Sequence, residues 1–188
     1  MNRLFILMIF LMSCVSLATN GSPVITPKDG TSAGIGLSGV ISPSGAFPLA
    51  PVIYFRYGLS ENTDIGFSGF PILGIFNTDV KFRNSNFTAL IFGTGVSYTQ
   101  IDNDWIFFIL PNFGLGFGNE KFYISPRFIY ALATSRDTLI PSSILQTSFG
   151  LTLGKSVKFN PEMGFYIPLD RGDIAFYFNF GVFYMPKK

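Results

Sequence analysis

The sequence predicts an all-β fold, a closed antiparallel up-and-down transmembrane β-barrel of ten strands, with eight strands as the alternative. Apolar and polar residues alternate with period two along most of the chain after residue 30, which is typical of strands that separate two environments. Only 13% of the residues are charged and the mean hydropathy is +0.40, yet no stretch after the N-terminus fits a membrane-spanning helix. Charges within the strand segments face away from the large apolar side chains, which predicts lipid outside and a polar lumen inside.

Residues 1–18 are predicted to be an export signal. Arg3 precedes an unbroken apolar run, Leu4–Met12, which is too short to span a membrane as a helix and has the length of a signal-peptide core. Two processing routes stay open. A signal peptidase would cleave after Ala18, whereas the four residues that end at Cys14 resemble a bacterial lipobox, in which that cysteine is lipidated.

Residues 19–30 are polar, contain Pro and Gly and show no periodicity, so they are predicted to be a linker before a barrel at 31–188. Turns after the second, fourth and sixth strands are short, and the longest loop is expected at Ala133–Ser142, as is typical of membrane barrels. The predicted strands are 31–41, 50–60, 63–71, 75–84, 87–99, 104–117, 121–132, 143–154, 160–168 and 173–185.

Two residue types inside these strands need an explanation. Prolines delete a hydrogen bond of the ladder, so they are expected to mark bulges or strand ends. Glycines that alternate along one face are expected to leave room inside a narrow barrel. The prolines concerned are Pro111, Pro126, Pro161 and Pro168, and the glycines are Gly114, Gly116 and Gly118.

The candidate functional residues are the charges that the alternation points inward. Side chains nearly fill a barrel of eight to ten strands, and an unpaired buried charge is costly. We therefore expect a network of ion pairs and hydrogen bonds that plugs the lumen, with a narrow path for small polar solutes as the alternative. The network would contain Arg56, Asp64, Asp79, Lys81, Arg83, Arg127 and Glu162.

Several function classes are disfavoured by what the chain lacks. It has no histidine and one cysteine, so histidine-dependent triads, imidazole metal sites and thiolate clusters are excluded. We expect neither an enzyme nor a bound cofactor or metal. A net charge of +2 gives no basic patch for nucleic acid. One alternative stays open, a lipid-anchored soluble barrel, similar to a lipocalin, in which the Phe-rich face forms the core.

Two pieces of the chain resemble small bacterial outer-membrane β-barrel proteins. Residues Arg56–Gly66 look like their strand–turn–strand hairpin, with an inward Arg and Asp beside a short turn. Residues Asn179–Tyr184 are similar to the C-terminal signal that the barrel-insertion machinery reads, although the chain continues to Lys188. The resemblance implies an outer-membrane location, with membrane lipid and the insertion machinery as partners, and leaves the oligomeric state open. The expected role is structural or in surface interaction.

Overall fold

The computed structural model describes residue 22 and residues 24–42, 45–71, 74–101, 104–135, 138–170 and 173–186. The predicted signal at 1–18, with both processing routes, lies outside this part of the chain. No helix among the described residues is long and apolar enough to cross a membrane.

The described residues form a closed antiparallel barrel. Successive strands pair along the sheet, and β1 pairs with β11 to close it. The two-residue β9 follows β8 after a break at Thr152 and pairs only with β10, so the wall has ten strands, as predicted. The strands are β1 (Thr31–Ser42), β2 (Gly45–Ser60), β3 (Thr63–Phe70), β4 (Ile75–Arg83), β5 (Thr88–Ile101), β6 (Asp104–Gly118), β7 (Phe122–Ser135), β8 (Thr138–Leu151), β9 (Leu153–Gly154), β10 (Val157–Pro168) and β11 (Ala175–Tyr184).

The apolar face of the strands is the outside of the barrel. Phe67, Phe92 and Trp105 are 42%, 47% and 52% exposed, whereas the alternating inward residue Asp64 is fully buried. Because the Phe-rich face points outward, the soluble alternative with a Phe-rich core is wrong. Outward aromatic residues also lie towards both ends: Tyr57 and Tyr184 near one end, and Tyr98 and Trp105, with ring centroids 5.8 Å apart, near the other.

The two ends of the barrel are distinguished by the connections that they carry. β1 begins and β11 ends at one end, here called the terminal end, where the turns at 61–62, 84–87 and 119–121 also lie. The other ends of these strands lie at the opposite end, together with the described connecting residues 71, 74, 169–170 and 173–174. The expectation of a long loop at Ala133–Ser142 is wrong, because β7 and β8 continue their ladder to the Ser135–Thr138 pair. Of the polar residues that suggested a loop, Thr134, Ser135, Thr138 and Ser142 lie in the paired strands.

The prolines inside the strands lie where one of the two neighbouring ladders is interrupted. Pro126 pairs with Thr147 on β8 but has no pair on β6, Pro161 pairs with Phe180 on β11 but has none on β8 or β9, and Pro168 ends β10. A bulge occurs in the β1–β2 pairing, where Ser38 and Val40 face Ala50 and Phe47. This extra residue in β2 shifts its alternation, which explains why the sequence placed the start of β2 near residue 50 and not at Gly45.

The interior is divided into two zones. At the opposite end, buried apolar side chains form a continuous cluster, here called the apolar cluster, whose largest members include Phe70, Ile75, Phe108, Leu110, Ile129 and Ile144. Towards the terminal end the buried side chains are mainly polar or charged. The polar interior that the sequence predicts is therefore confined to the part of the lumen towards the terminal end. In β6 both faces are apolar, since Ile106, Phe108 and Leu110 point inward beside outward Trp105 and Phe107, and this conceals the alternation.

Candidate functional site in the barrel lumen

The centre of the polar zone is a guanidinium between two carboxylates. Arg56 Nη2 lies 2.6 Å from Asp64 Oδ1 and 2.7 Å from Asp79 Oδ1. The three side chains come from β2, β3 and β4, and Arg56, Gly66 and Asp79 are cross-strand neighbours in the ladder. Since all three charged groups are buried, their mutual pairing offsets the cost of removing them from water. Arg56 is therefore ion-paired with both carboxylates.

The described part of the N-terminal segment, Ser22 and residues 24–30, enters the terminal end and contacts this cluster. The Thr26 amide donates to Asp64 Oδ2 at 2.8 Å, so the second oxygen of that carboxylate is also bound. The Lys81 ammonium donates to the Ser22 carbonyl at 2.8 Å and to the Val24 carbonyl at 3.4 Å. Thr26 is fully buried. These residues, which the sequence suggested were a linker, thus lie inside the mouth of the barrel.

Gly58 makes room for this segment. It forms an isolated parallel bridge with Lys28, accepts from the Asp29 amide at 2.9 Å and donates to the Gly30 carbonyl at 3.0 Å. A β-carbon at Gly58 would overlap the carbonyl oxygens of Thr26 and Pro27. Only glycine at this position allows the main chain of the segment to approach β2 so closely.

Glu162 lies elsewhere in the polar zone and is bound by tyrosines. The Tyr123 hydroxyl donates to Glu162 Oε2, and the Tyr177 hydroxyl donates to Oε1 at 3.4 Å. The Tyr123 hydroxyl is also 3.1 Å from Asn160 Oδ1, and Gln146 Nε2 donates to Tyr177 at 2.8 Å. Two phenols on β7 and β11 therefore hold this carboxylate through hydrogen bonds.

Arg127 is buried next to amide side chains. Its Nη1 donates to Asn112 Oδ1 at 3.4 Å, and Asn112 Nδ2 in turn donates to Asn77 Oδ1 at 3.4 Å and to the Leu110 carbonyl at 3.1 Å. The aliphatic part of Arg127 lies against Gly114 on β6, with a β-carbon there 3.3 Å from Arg127 Cβ. The glycine at 114 does leave room inside the barrel, as its alternation predicts.

Six of the seven predicted lumen charges are buried inside the barrel, and Arg83 is not. Its guanidinium lies at the terminal rim, where Nη2 donates to the Glu61 carbonyl at 2.8 Å and to Asn62 Oδ1 at 2.9 Å. Position 83 ends β4, so its side chain extends past the ladder to the neighbouring turn. Cys14, the candidate lipidation residue, lies outside the described residues.

Other lumen residues escaped the sequence analysis. Tyr123, Tyr177 and Gln146 fall on inward positions, but only the strand register shows that they meet around Glu162. The inward glycines in the sequence indicate where these large side chains lie, because Gly150 and Gly164 lie against the rings of Tyr123 and Tyr177. No group of three acidic or sulfur side chains in the described part of the chain is arranged to hold a metal ion.

A closed antiparallel barrel with an apolar outer surface and a charged interior belongs to the class of outer-membrane β-barrels. The structure is similar to that of the outer membrane protease OmpT of Escherichia coli, at 12% identity over 87% of this chain and 99% of that chain, with a TM-score of 0.43. It is also similar to Ail, the attachment invasion locus protein of Yersinia pestis, at 12% identity, 82% and 95% coverage and a TM-score of 0.31. The N-terminal β-barrel domain of Pseudomonas aeruginosa OprF gives 8% identity, 84% and 98% coverage and a TM-score of 0.31.

No protein-family model and no curated protein matches the chain. What can be said about function therefore depends on the residues of this barrel.

Proposed function

We propose that the protein is a non-conducting β-barrel of the bacterial outer membrane with a structural or surface-interaction role, and that its lumen is plugged from both ends. The observation that carries this proposal is the occupation of the terminal mouth by Ser22 and residues 24–30, bound to Asp64 and Lys81. The apolar cluster is the second barrier, at the opposite end. An ion crossing the barrel would have to displace a bound peptide segment and then pass through a desolvated apolar layer.

The filled interior supports a structural role for the lumen charges. Arg56 joins three adjacent strands through Asp64 and Asp79, and Glu162 joins β10 to β7 and β11 through two tyrosines. Groups that are already paired and buried are poorly placed to take protons from a substrate, because substrate would first have to reach them. We therefore propose no catalytic role for these carboxylates.

The exterior supports an outer-membrane location. An outer surface of exposed Phe, Leu, Ile and Val needs lipid, and a closed barrel leaves no unpaired strand edge in it. Export by residues 1–18 would carry the chain across the inner membrane, from where it would insert into the outer membrane. The intact mass of the mature protein separates the two processing routes, because cleavage after Ala18 gives an unmodified chain and lipidation gives a chain that begins with acylated Cys14.

Single-channel recording in planar bilayers tests the plugged lumen. We expect no discrete conductance steps from the wild-type barrel, after unboiled and boiled gel migration has shown that it is folded. The competing function is a narrow channel for small polar solutes. Reproducible conductance steps in the wild type, altered in Arg127→Ala or Glu162→Ala, would contradict the plugged lumen and support the channel.

A further inference from the structure

We propose that the terminal mouth is a binding site for an extended peptide, which the chain's own N-terminal segment occupies in cis. The inference rests on the proposed function, in which this segment closes the mouth. The ligand class is a peptide in extended conformation, recognised mainly through its main chain.

The hydrogen bonds that Asp64, Lys81 and Gly58 make with the segment go to its backbone, and the Tyr57 hydroxyl adds one to Asp29 Oδ1 at 3.3 Å. Asp64 accepts from the amide of Thr26, and Lys81 donates to the carbonyls of Ser22 and Val24. Gly58 exchanges hydrogen bonds with the backbone of Asp29 and Gly30. Every residue except proline offers the same amide and carbonyl groups, so these contacts would hold other sequences as well.

The charges at the site favour an occupied state. Asp64 and Lys81 are 0% and 1% exposed, and cross-strand pairing places them side by side on β3 and β4. One carboxylate and one ammonium, each bound to the peptide backbone, also define the direction in which the chain runs. If the segment leaves, one oxygen of Asp64 and the donors of Lys81 lose these partners, and a second peptide would restore them.

One side of the segment borders a cleft of about 380 Å³ at the terminal end. Val24, Ile25 and Pro27 of the segment line it, together with residues that include Gly154, Lys155 and Met185. Asp64 and Lys81 do not line this cleft and are buried under the segment, so a second peptide can bind them only after the segment has left. In the wild type the tethered segment has an effective concentration of the order of millimolar, so a free peptide competes poorly.

The experiment uses the full-length barrel in detergent micelles and a fluorescent peptide with the sequence of residues 19–30. Thr26→Pro in the barrel removes the amide that binds Asp64, whereas the control Thr26→Ala keeps it. We expect the peptide to bind the Thr26→Pro barrel about tenfold more tightly than the wild type or the control, since loss of one hydrogen bond to a charged group is worth about that factor. Asp29→Pro repeats the test at the Gly58 contact should the first variant fold poorly. Its control is Asp29→Asn, because Asp29 has a φ of 58°, which asparagine tolerates.

Changes in the peptide complete the test without altering the barrel. A peptide with the change Thr26→Pro should bind the opened barrel about tenfold more weakly than one with Thr26→Ala. The proposal is overturned if neither proline variant of the barrel gains peptide binding, or if the two peptides bind alike. This result is distinct from failure of the plugged-lumen proposal. That proposal is contradicted only by ion conductance of the wild-type barrel, which does not depend on peptide binding.

Discussion

The guanidinium of Arg56 lies directly over Gly66, the residue opposite it on the neighbouring strand, and a β-carbon at position 66 would overlap it. Gly150 and Tyr123, a second cross-strand pair, stand in the same relationship. A ten-stranded barrel has little internal space, so a large inward side chain needs a small one beside it. The inward glycines therefore determine where the charged and aromatic groups of the lumen can lie.

Gly66→Ala is expected to destabilise the folded barrel by about 1–3 kcal/mol, the usual cost of inserting a methyl group into a filled interior. The guanidinium of Arg56 would have to move, which would lengthen its bonds to Asp64 and Asp79. Urea unfolding in lipid vesicles measures the change. The control is Gly69→Ala on the outer face of the same strand, where the nearest atoms to the new methyl group, at 2.8 Å, belong to the ring of the half-buried Phe76 and not to a paired charge. Equal losses in both variants would contradict the role assigned to Gly66.

Arg56→Met is expected to cost about 3–5 kcal/mol, because it leaves two buried carboxylates without their cation. The control is Arg83→Met at the terminal rim, which removes hydrogen bonds to Asn62 and Glu61 in an exposed place and should cost less than about 1 kcal/mol. Both are measured as free energies of unfolding. A small effect of Arg56→Met would mean that Asp64 and Asp79 are stabilised mainly by other groups.

The wall of this barrel was predictable because each strand separates lipid from the interior. Period two is then visible in the sequence, as in β3, where Ile65 and Phe67 alternate with Asp64 and Gly66. The prediction failed at the start of β2, where a bulge shifts the period, and at 133–142, where polar residues lie in paired strands. Alternation is a property of regular ladders and is lost where the ladder is irregular.

The lumen was predictable only as a set of inward residues. The pairing of Arg56 with Asp64 and Asp79 depends on the register between β2, β3 and β4, which the hairpin turns fix but the composition does not. The docking of residues 24–30 depends on main-chain contacts, and these carry little sequence signal. Gly58 was the one recognisable clue, since a glycine at an inward position marks a close approach.

The last full strand gives a prediction about assembly. Tyr184, at the end of β11, is 54% exposed on the outer face, and we propose from the sequence of this strand that the insertion machinery reads it. Tyr184→Ala should lower the amount of folded barrel in cells several-fold, measured as the fast-migrating unboiled band in membranes. Tyr57→Ala, also on the outer face near the terminal end, controls for the loss of an interfacial aromatic residue. Equal losses of folded barrel in both variants would show that Tyr184 acts only as an aromatic residue at the membrane–water interface.

Docking of the N-terminal segment can be followed with a thiol at position 22, in a Cys14→Ser background. Ser22 is 2% exposed, so Ser22→Cys should react slowly with a water-soluble thiol reagent, whereas Lys28→Cys on the exposed side should react fast. Gly58→Leu places a side chain where Pro27 lies and should release the segment. We expect it to raise the labelling rate at position 22 about tenfold or more, with little change at position 28. Slow labelling at position 22 in both backgrounds would show that Gly58 does not hold the segment in place.

Release of the segment alone should not produce a channel, because the apolar cluster remains at the opposite end. Phe108 is 1% exposed and lies in that cluster, on the far side of the lumen from Gly58 and the terminal mouth. We therefore expect no conductance steps from Gly58→Leu or from Phe108→Ala, and steps from the double variant, recorded in planar bilayers from protein whose unboiled gel band shows it to be folded. Two barriers in series predict this dependence on both changes, since either one is sufficient to stop ions. Conductance in Gly58→Leu alone would show that the apolar cluster is no barrier. Conductance in Phe108→Ala alone would show that the segment is no barrier.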